Sequence, residues 1–319
     1  MSTDALVTLN GPTMGTRWSV RLAPRRSAPE LSAALQASVD AVDRQMSTWR
    51  PDSDLMRLNA AAPGVWVEVG ADLIKVLEIS AEITAASGGA FDIGVGEAVT
   101  AWGFGPAQGQ ADETAISLAL GRPLHAELEC EPAAGRVRRL NGRCLDLSGV
   151  AKGFAVDQMA EVLRQRSVHG FLAALDGEIV VDGVRPDRRP WAIALEEPDP
   201  CRRAGRGVIE VSDRAVATSG DYRHRVQLGA NWLSHTMDPR SGGPVRNKLA
   251  SVTVLAVDCA RADAWATALM VLGEMDGPRL ARSRGLDAIF LTREDEGLKE
   301  LSTLGVEAQD PLVGFTPGL

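Results

Sequence analysis

The sequence predicts an α+β fold in which mixed, largely antiparallel sheets are flanked by helices. Long segments with apolar residues at helical spacing are separated by short, strand-like apolar runs. Between residues 171 and 218 such runs follow one another through connections too short for a crossover helix, which favours antiparallel pairing. Two strand-rich blocks each adjoin helices, an arrangement compatible with an internal structural duplication, although the chain contains no sequence repeat.

Length and charge exclude several classes of protein. At 319 residues the chain can bury a large core, as one large domain or two smaller ones. Its net charge of −8 and the lack of a basic stripe argue against a nucleic-acid surface. No apolar run approaches the roughly 20 residues that span a bilayer. The first residues show no secretory signal and the four cysteines form no C-x-x-C pair, so we expect free thiols and a cytoplasmic location.

The N-terminal part is predicted to form a strand pair and two amphipathic helices. Strands are expected at Ala5–Leu9 and Thr16–Leu22, around a glycine-containing turn. Helices are expected at about 29–46 and 71–87, the second ending at a pair of glycines. Their inward faces should carry Leu31, Leu35, Val39, Val42, Met46, Leu73, Val76, Leu77 and Ile83.

A glycine-rich segment with three aromatic rings follows at about 88–106. Either its backbone packs closely against a flat ligand, or the segment is a tight connection with buried rings. A helix with surface loops is expected at 108–131, and a strand pair at 137–140 and 143–147.

The stretch from Leu145 to Asp157 is the most distinctive in the chain. Leu145–Leu147 should end a short strand, and the turn through Ser148 and Gly149 should open a helix that runs to about Gly170. Such a turn leaves N–H groups pointing outward and suits a phosphate, although most turns of this kind bind nothing. The spacing matches neither a Walker A loop nor G-x-G-x-x-G.

The second half is predicted to be rich in strands. An antiparallel meander is expected from the strands 171–175, 178–182, 191–195, 208–211 and 215–218, interrupted by a mobile polar loop at 198–206. Further strands are expected at 221–228, 251–257 and 288–291, and helices at 261–272 and 276–283, before a polar tail. Asp258 is a good N-cap for the first of these helices.

Asp263 and Thr267 lie four residues apart in the predicted helix 261–272 and therefore share one of its faces. A carboxylate and a hydroxyl are hard oxygen ligands of the type that Mg²⁺ prefers. The same spacing also fits an aspartate that interacts with the helix dipole and a threonine that bonds to its own backbone.

A polar loop at 234–244 places His235, Asp238 and Arg240 within six residues. These groups could transfer protons, or they could form a surface turn in which Asp238 caps the bend and Arg240 pairs with it. The chain has no G-x-S-x-G elbow, so a serine hydrolase has no support.

Taken in order, seven motifs resemble those of the FAD:protein FMN transferase family, also called the ApbE family. They are Met14–Thr16, Met46–Leu55, Phe91–Ile93, Asp146–Asp157, Ala217–Tyr222, His235–Gly242 and Ala262–Leu269. The motifs span about 11–272, and the resemblance implies a single domain of this type over 1–319.

This resemblance implies an enzyme that binds FAD and Mg²⁺ and transfers FMN to a Ser or Thr hydroxyl of an acceptor flavoprotein, releasing AMP. Some relatives hydrolyse FAD instead, so an FAD pyrophosphatase is one alternative, and a weakly active or inactive flavin-binding protein is another. The lack of a lipoprotein signal points to a cytoplasmic acceptor.

The resemblance also assigns residues to the site. Mg²⁺ would be held by Asp263, Thr267 and the backbone carbonyl of Ala151, while His235 would lie near the reacting phosphates. His235 and Asp238 are the candidate bases for the acceptor hydroxyl. The FAD site would be lined by Met14, Trp49, Ala90, Phe91, Asp92, Ser148, Phe154 and Met237.

One turn departs from the family pattern. The family commonly has Gly-Gly-Asp after the central helix and its strand, whereas this chain has Asp176-Gly177-Glu178. Asp176 adds a Cβ and a charge where a glycine would be unrestricted. If this turn borders the phosphates of FAD, the extra carboxylate would repel them and weaken activity.

Overall fold

The structure, a computed structural model, describes residues 6–24, 28–107, 109–199, 204–222, 225–228, 231–295 and 297–305. Its strands are β1 (Val7–Thr13), β2 (Thr16–Leu22), β3 (Val67–Glu68), β4 (Leu128–Glu131), β5 (Arg136–Arg139), β6 (Phe171–Leu175), β7 (Glu178–Asp182), β8 (Trp191–Glu196), β9 (Gly205–Val211), β10 (Ala215–Gly220), β11 (Arg225–Leu228), β12 (Asn231–Ser234), β13 (Met237–Asp238), β14 (Gly243–Pro244), β15 (Leu249–Ala256), β16 (Asp287–Glu294) and β17 (Gly297–Ser302). Its helices are α1 (Ala28–Met46), α2 (Asp54–Ala60), α3 (Ala71–Ala86), α4 (Gly96–Ala101), α5 (Glu113–Ala119), α6 (Ala151–Gln165) and α7 (Cys259–Arg284).

Eight strands form one sheet in the order β1-β2-β6-β7-β10-β15-β16-β17. Every neighbouring pair in it is antiparallel. Small separate sheets are formed by β3-β5-β4, β8-β9, β11-β12 and β13-β14. The predicted α+β class with largely antiparallel sheets is therefore confirmed, while the single domain over 1–319 and the internal duplication stay predictions.

The main core lies between one face of this sheet and the helices α1, α3, α6 and α7. Helix α6 packs between α1 and α7, and α7 runs along β10 and β15. Alternation along a strand separates the two faces, since Ala215 and Ala217 point into this core while Val216 points away from it. The helices that carry the Asp146–Asp157 and Ala262–Leu269 motifs are thus held side by side by the core.

The opposite face of the sheet is covered in part by the β8–β9 hairpin. Trp191 and Ile193 of β8 and Val211 of β9 pack there against Val181 and Val216. This hairpin leaves the main sheet between β7 and β10, so the prediction of one continuous meander is wrong. Two-residue turns and short loops can join antiparallel strands in either arrangement, and the sequence does not distinguish them.

The N-terminal strand pair and the two helices are confirmed, although β1 runs on to Thr13, past the predicted end at Leu9. Trp18, Val20 and Leu22 of β2 are fully buried, and every residue predicted for the inward faces of α1 and α3 is buried. The β1–β2 turn consists of Met14 and Gly15, both at positive φ, which suits a tight hairpin.

The segment 143–147 is described throughout and is irregular rather than the predicted strand. The Asn59 side chain replaces a neighbouring strand, because its amide donates to Leu145 O at 2.9 Å and accepts from Leu145 N at 2.8 Å. All three residues of Leu145–Leu147 are buried, including Asp146, so the expected alternation is also absent. The apolar residues of this segment are therefore buried without marking one face of a strand.

Several elements differ in extent from the predictions. Helix α6 ends at Gln165, before the predicted end near Gly170, and Ser167 (φ 54°) adopts the left-handed conformation that follows it. The two predicted C-terminal helices join as α7, with a break at Gly273 (φ 80°, ψ −174°). The polar tail contains strand β17, which is mostly exposed and whose half-buried Leu298 and Leu301 are three residues apart, so it shows no strand-like alternation. The predicted loop at 198–206 lies partly outside the described residues, and its last two residues begin β9.

The glycine-rich segment is a tight connection with buried rings, as the second interpretation predicted. A Cβ on Gly94 would lie 2.8 Å from the backbone nitrogen of Ala126, and one on Gly96 would lie 2.8 Å from the carbonyl oxygen of Cys144. Phe91 and Trp102 are buried. Gly94 and Gly96 therefore admit protein backbone, whereas a Cβ on Gly89 would meet no atom within 4 Å.

Candidate active site

The start of α6 lies directly against the first turns of α7. Gly153 permits this approach, because a Cβ there would lie 2.3 Å from the carbonyl oxygen of Cys259 and 2.9 Å from the Cβ of Asp263. The Gly153 N–H donates to Asp263 Oδ2 at 3.1 Å. One turn earlier, a Cβ on Gly149 would lie 3.0 Å from the Thr267 hydroxyl oxygen. Since Ala151 lies between these two glycines, the structure brings Ala151, Asp263 and Thr267 to one place.

Asp263 is a buried carboxyl group whose charged form is disfavoured. Burial raises its pKa to about 8, with a further increase from the charge of Glu178, while Lys152 and the Gly153 N–H oppose the shift. Among the described residues, only Gly153 donates a hydrogen bond to this carboxylate. A cation next to Asp263 would lower the pKa of this carboxyl group again, because an opposite charge favours the ionised form.

The Thr267 hydroxyl lies one turn further along α7, on the same face. It shares a hydrogen bond of 3.1 Å with the Ser219 hydroxyl at the end of β10. The Phe91 ring also lies close to this turn, since a Cβ on Gly149 would lie 3.3 Å from it. A hydroxyl held by one hydrogen bond retains an oxygen lone pair for a ligand.

The turn at the start of α6 is not an open anion site. The Ser148 N–H donates to Asp146 Oδ1, the N–H groups of Val150 and Ala151 both donate to Leu147 O, and Gly153 donates to Asp263. Protein acceptors therefore use most of the donors that the sequence suggested for a phosphate. The acidic neighbour at 263 makes a cation the better match for this turn.

Lys152 forms a charge cluster with the turn that departs from the family pattern. Its ammonium lies 2.9 Å from Glu178 Oε1 and 3.5 Å from Asp176 Oδ2. Burial lowers the Lys152 pKa, but Glu178, Asp263 and Asp176 outweigh it, so the net shift is upward. Asp176 adopts φ 60°, the conformation in which a glycine would be unstrained and an aspartate is tolerated. Both carboxylates of this turn, including the one that Asp176 adds, thus face Lys152.

The donor set fits a hard divalent cation. A carboxylate, a hydroxyl and a main-chain carbonyl are all oxygen ligands, and Mg²⁺ completes a set of this size with water and substrate phosphates. In the part of the chain that the structure describes, three or more His, Cys, Asp or Glu side chains nowhere converge as a metal cluster.

A cavity of about 360 Å³ opens next to the Phe91–Ile93 motif. Thr84, Gly88 and Gly89 line one side of it, and Pro239 and Arg240 line another. Asp92 fixes this wall, since Oδ1 accepts from Gly94 N at 2.8 Å and from Ala126 N at 3.0 Å. Asp92 Oδ2 lies 2.6 Å from His125 Nδ1. The cavity has room for part of a dinucleotide.

The loop 234–244 behaves partly as the surface-turn interpretation predicted. Asp238 Oδ1 accepts from the Arg240 N–H and from its Nε, both at 2.9 Å, and Asp238 Oδ2 accepts from Nη2 at 3.1 Å. Both oxygens of this candidate base are therefore used by Arg240. His235 is half-buried, with its ring edge-on to Phe104 at a centroid distance of 6.5 Å.

The remaining predicted FAD contacts fall into two groups. Trp49 is 60% exposed, Ser148 is exposed, and Met14 is half-buried at the tip of the β1–β2 hairpin. The second group is buried and consists of Ala90, Phe91, Phe154 and Met237. Phe154 in particular lies in the main core, so its ring packs the first turns of α6 against the core.

Some residues that shape the site escaped the sequence reasoning. Ser219 and Asp157 lie within the recognised motifs, but only the fold reveals that Ser219 contacts Thr267 and that Asp157 contacts α7. His125 lies in a segment predicted only as surface loop, and no local pattern ties it to Asp92.

The fold and the α6–α7 site together define a class of protein: an antiparallel-sheet α+β protein with a buried carboxylate and a hydroxyl one turn apart on the same helix. Residues 14–290 match the model of the ApbE family. The chain belongs to the ApbE family.

Characterised relatives match along most of the chain. An FAD:protein FMN transferase of Klebsiella pneumoniae (strain 342) is 35% identical over 91% of this chain and 85% of its own length. One from Vibrio cholerae is 34% identical over 93% of this chain and 90% of its own length. The structure of the flavin transferase ApbE from Vibrio cholerae superposes with a TM-score of 0.83 at 32% identity, covering 95% of this chain and 98% of that one. The apo flavinyl transferase ApbE of Pseudomonas stutzeri gives 0.82 at 34% identity, covering 94% and 95%.

Within the described residues, no helix has both the length and the apolar character needed to cross a membrane.

Proposed function

We propose that this chain is an FAD:protein FMN transferase, which moves the FMN half of FAD to a Ser or Thr hydroxyl of an acceptor flavoprotein and releases AMP. The observation that carries the proposal is the convergence of Asp263, Thr267 and the first turn of α6 in a member of the ApbE family. Relatives that bear this name match over nine-tenths of the chain, which supports the same reaction here.

Asp263, Thr267 and the carbonyl of Ala151 would hold Mg²⁺ in this enzyme. When bound, Mg²⁺ would polarise a phosphoryl oxygen and neutralise charge on the departing AMP. A chain with a net charge of −8 needs such a positive charge to accept a pyrophosphate. Lys152 does not supply it, because Glu178 and Asp176 already pair with its ammonium.

The reaction replaces the phosphoanhydride bond of FAD by a phosphoester bond to the acceptor. The acceptor hydroxyl oxygen bonds to the FMN phosphorus, the bond from that phosphorus to the bridging oxygen breaks, and AMP leaves with that oxygen. The hydroxyl proton passes to a base. We assign this role to His235 rather than Asp238, because Arg240 occupies both carboxylate oxygens of Asp238.

The two groups of predicted FAD contacts would act differently. Trp49, Ser148 and Met14 are accessible and would touch the dinucleotide, with Trp49 stacking on one of its rings. The buried residues Ala90, Phe91, Phe154 and Met237 would shape the floor beneath it. Asp92 would fix the wall of the adjoining cavity through its bonds to Gly94 and Ala126.

We place the enzyme and its acceptor in the cytoplasm. The described thiols Cys130, Cys144 and Cys259 are free, which is typical of a reducing compartment. Fractionation of the native host, with detection of the chain in the cytosolic fraction, tests this location.

The proposed reaction is tested by mass spectrometry of a candidate acceptor after incubation with the protein, FAD and Mg²⁺. We expect an FMN-sized adduct on a Ser or Thr, together with AMP, and neither product when a chelator removes the metal. Free FMN and AMP without an adduct would indicate an FAD pyrophosphatase. Stoichiometric FAD that stays bound and intact would indicate a flavin-binding protein without this activity.

A further inference from the structure

We propose that Asp157 is a positioning residue that fixes α7 against α6 and thereby sets the Asp263 and Thr267 side chains at the Ala151 turn. The inference rests on the proposed function, because it assigns Asp157 a part in forming the Mg²⁺ site. Asp157 lies two turns along α6 from Ala151, so it would act through the helices and not through contact with the ion.

Asp157 joins the two helices through backbone atoms. Its Oδ1 accepts from Cys259 N at 2.8 Å, and its Oδ2 accepts from Cys259 N at 3.1 Å and from Ala260 N at 2.9 Å. These N–H groups belong to the first turn of α7, where no intrahelical acceptor is available. A carboxylate there also interacts favourably with the positive end of the helix dipole.

The position of this contact matters because it lies next to the close approach of the two helices at Gly153. Gly153 lies one turn before Asp157 on α6, and a Cβ there would clash with the carbonyl oxygen of Cys259. The Gly153 N–H in turn donates to Asp263, one turn further along α7. Asp157, Gly153 and Asp263 therefore form three successive contacts that leave α7 little freedom to slide or rotate on α6.

Asp258 caps the same end of α7 without crossing to α6. It accepts from Arg261 N at 2.8 Å as the ordinary N-cap, and it pairs with the Arg261 side chain. The end of α7 is thus bound by two carboxylates, only one of which comes from the other helix. If the cap alone mattered, the two residues would have the same effect on the metal site.

This difference gives a matched experiment with Asp157→Asn and Asp258→Asn in the full chain. The probe is Mn²⁺, titrated into each protein and followed by the electron paramagnetic resonance signal of the free ion, with thermal unfolding measured in parallel. We expect both variants to lower the melting temperature, and only Asp157→Asn to weaken Mn²⁺ binding, by about tenfold, the effect typical of residues that orient metal ligands. Asp157→Glu, which retains the carboxylate, should recover part of the affinity.

The outcomes separate the inference from the function on which it rests. Equal Mn²⁺ affinities for the Asn variants would overturn the positioning role while leaving the metal site intact. Wild-type protein that binds no Mn²⁺ and transfers no FMN would refute the proposed function itself. If Asp157→Asn does not fold, Asp157→Glu tests the inference instead. A Mn²⁺ affinity equal to that of wild type, together with a lowered melting temperature, would show that Asp157 only caps α7.

Discussion

The two halves of the candidate site are built in different ways. The cation half lies between α6 and α7, where Asp263 is buried and neighbouring glycines admit backbone and side chains at contact distance. The substrate half is formed by loops, with Trp49 60% exposed and His235 on a turn that Arg240 and Asp238 hold. Core packing therefore fixes the groups that we propose to hold the cation, whereas surface loops present the groups that we propose to touch the substrate. Substitutions in the first half should be the more damaging.

The largest effect is expected from Asp263→Ala in the cation half. Loss of the only predicted carboxylate ligand should lower Mg²⁺-dependent FMN transfer on the order of a thousandfold or more, since such a cation supplies several kcal/mol to the transition state. Transfer rates at saturating FAD, measured over a range of Mg²⁺ concentrations, check this. Activity like that of wild type would show that Asp263 is not a metal ligand.

In the substrate half, His235→Gln should lower kcat on the order of 100-fold or more while leaving Mn²⁺ affinity unchanged, because a positioned general base contributes at least that much. Asp238→Asn serves as the comparison, and we expect it to act more weakly because Arg240 already engages that carboxylate. Should Asp238→Asn prove the more damaging, the two assignments would have to be exchanged.

The cation half should also respond to pH through Asp263. Its pKa of about 8 lies above the ordinary value of 3.8, so the folded, metal-free protein holds a proton that the unfolded chain releases near pH 4. The free energy of unfolding of the metal-free protein should therefore fall as the pH rises from about 4 to 8.

A cation must displace the same proton. Apparent Mg²⁺ affinity should rise about tenfold per pH unit below 8 and level off above it, with up to one proton released per ion. Calorimetric titration in buffers of different ionisation enthalpy measures that proton. Binding that is independent of pH between 6 and 8 would show that Asp263 is already ionised.

The smallest effect is expected from Trp49→Ala. One exposed ring that stacks on part of FAD contributes about 1 kcal/mol, so KM for FAD should rise about fivefold with kcat nearly unchanged. Steady-state kinetics distinguish this from the His235 variant. A loss confined to kcat would instead indicate that Trp49 acts at the reacting phosphates.

The same contrast explains how much the sequence could predict. Amphipathic patterns located α1 and α3 with their buried residues, because burial on one side leaves a periodic trace. The irregular Leu145–Leu147 segment escaped prediction, since its partner is the side chain of Asn59, far away in the chain. Motif resemblance named Asp263 and Thr267. The contacts of Ser219 and Asp157 depend on which helices and strands become neighbours, and no local pattern records that.

The most direct test of the account is a crystal structure of the protein soaked with Mn²⁺ and FAD, with the metal located by its anomalous scattering. We expect a metal peak within coordination distance of Asp263, Thr267 and the Ala151 carbonyl, with the pyrophosphate of FAD next to it. A metal peak elsewhere, or FAD bound with its pyrophosphate away from the start of α6, would contradict it.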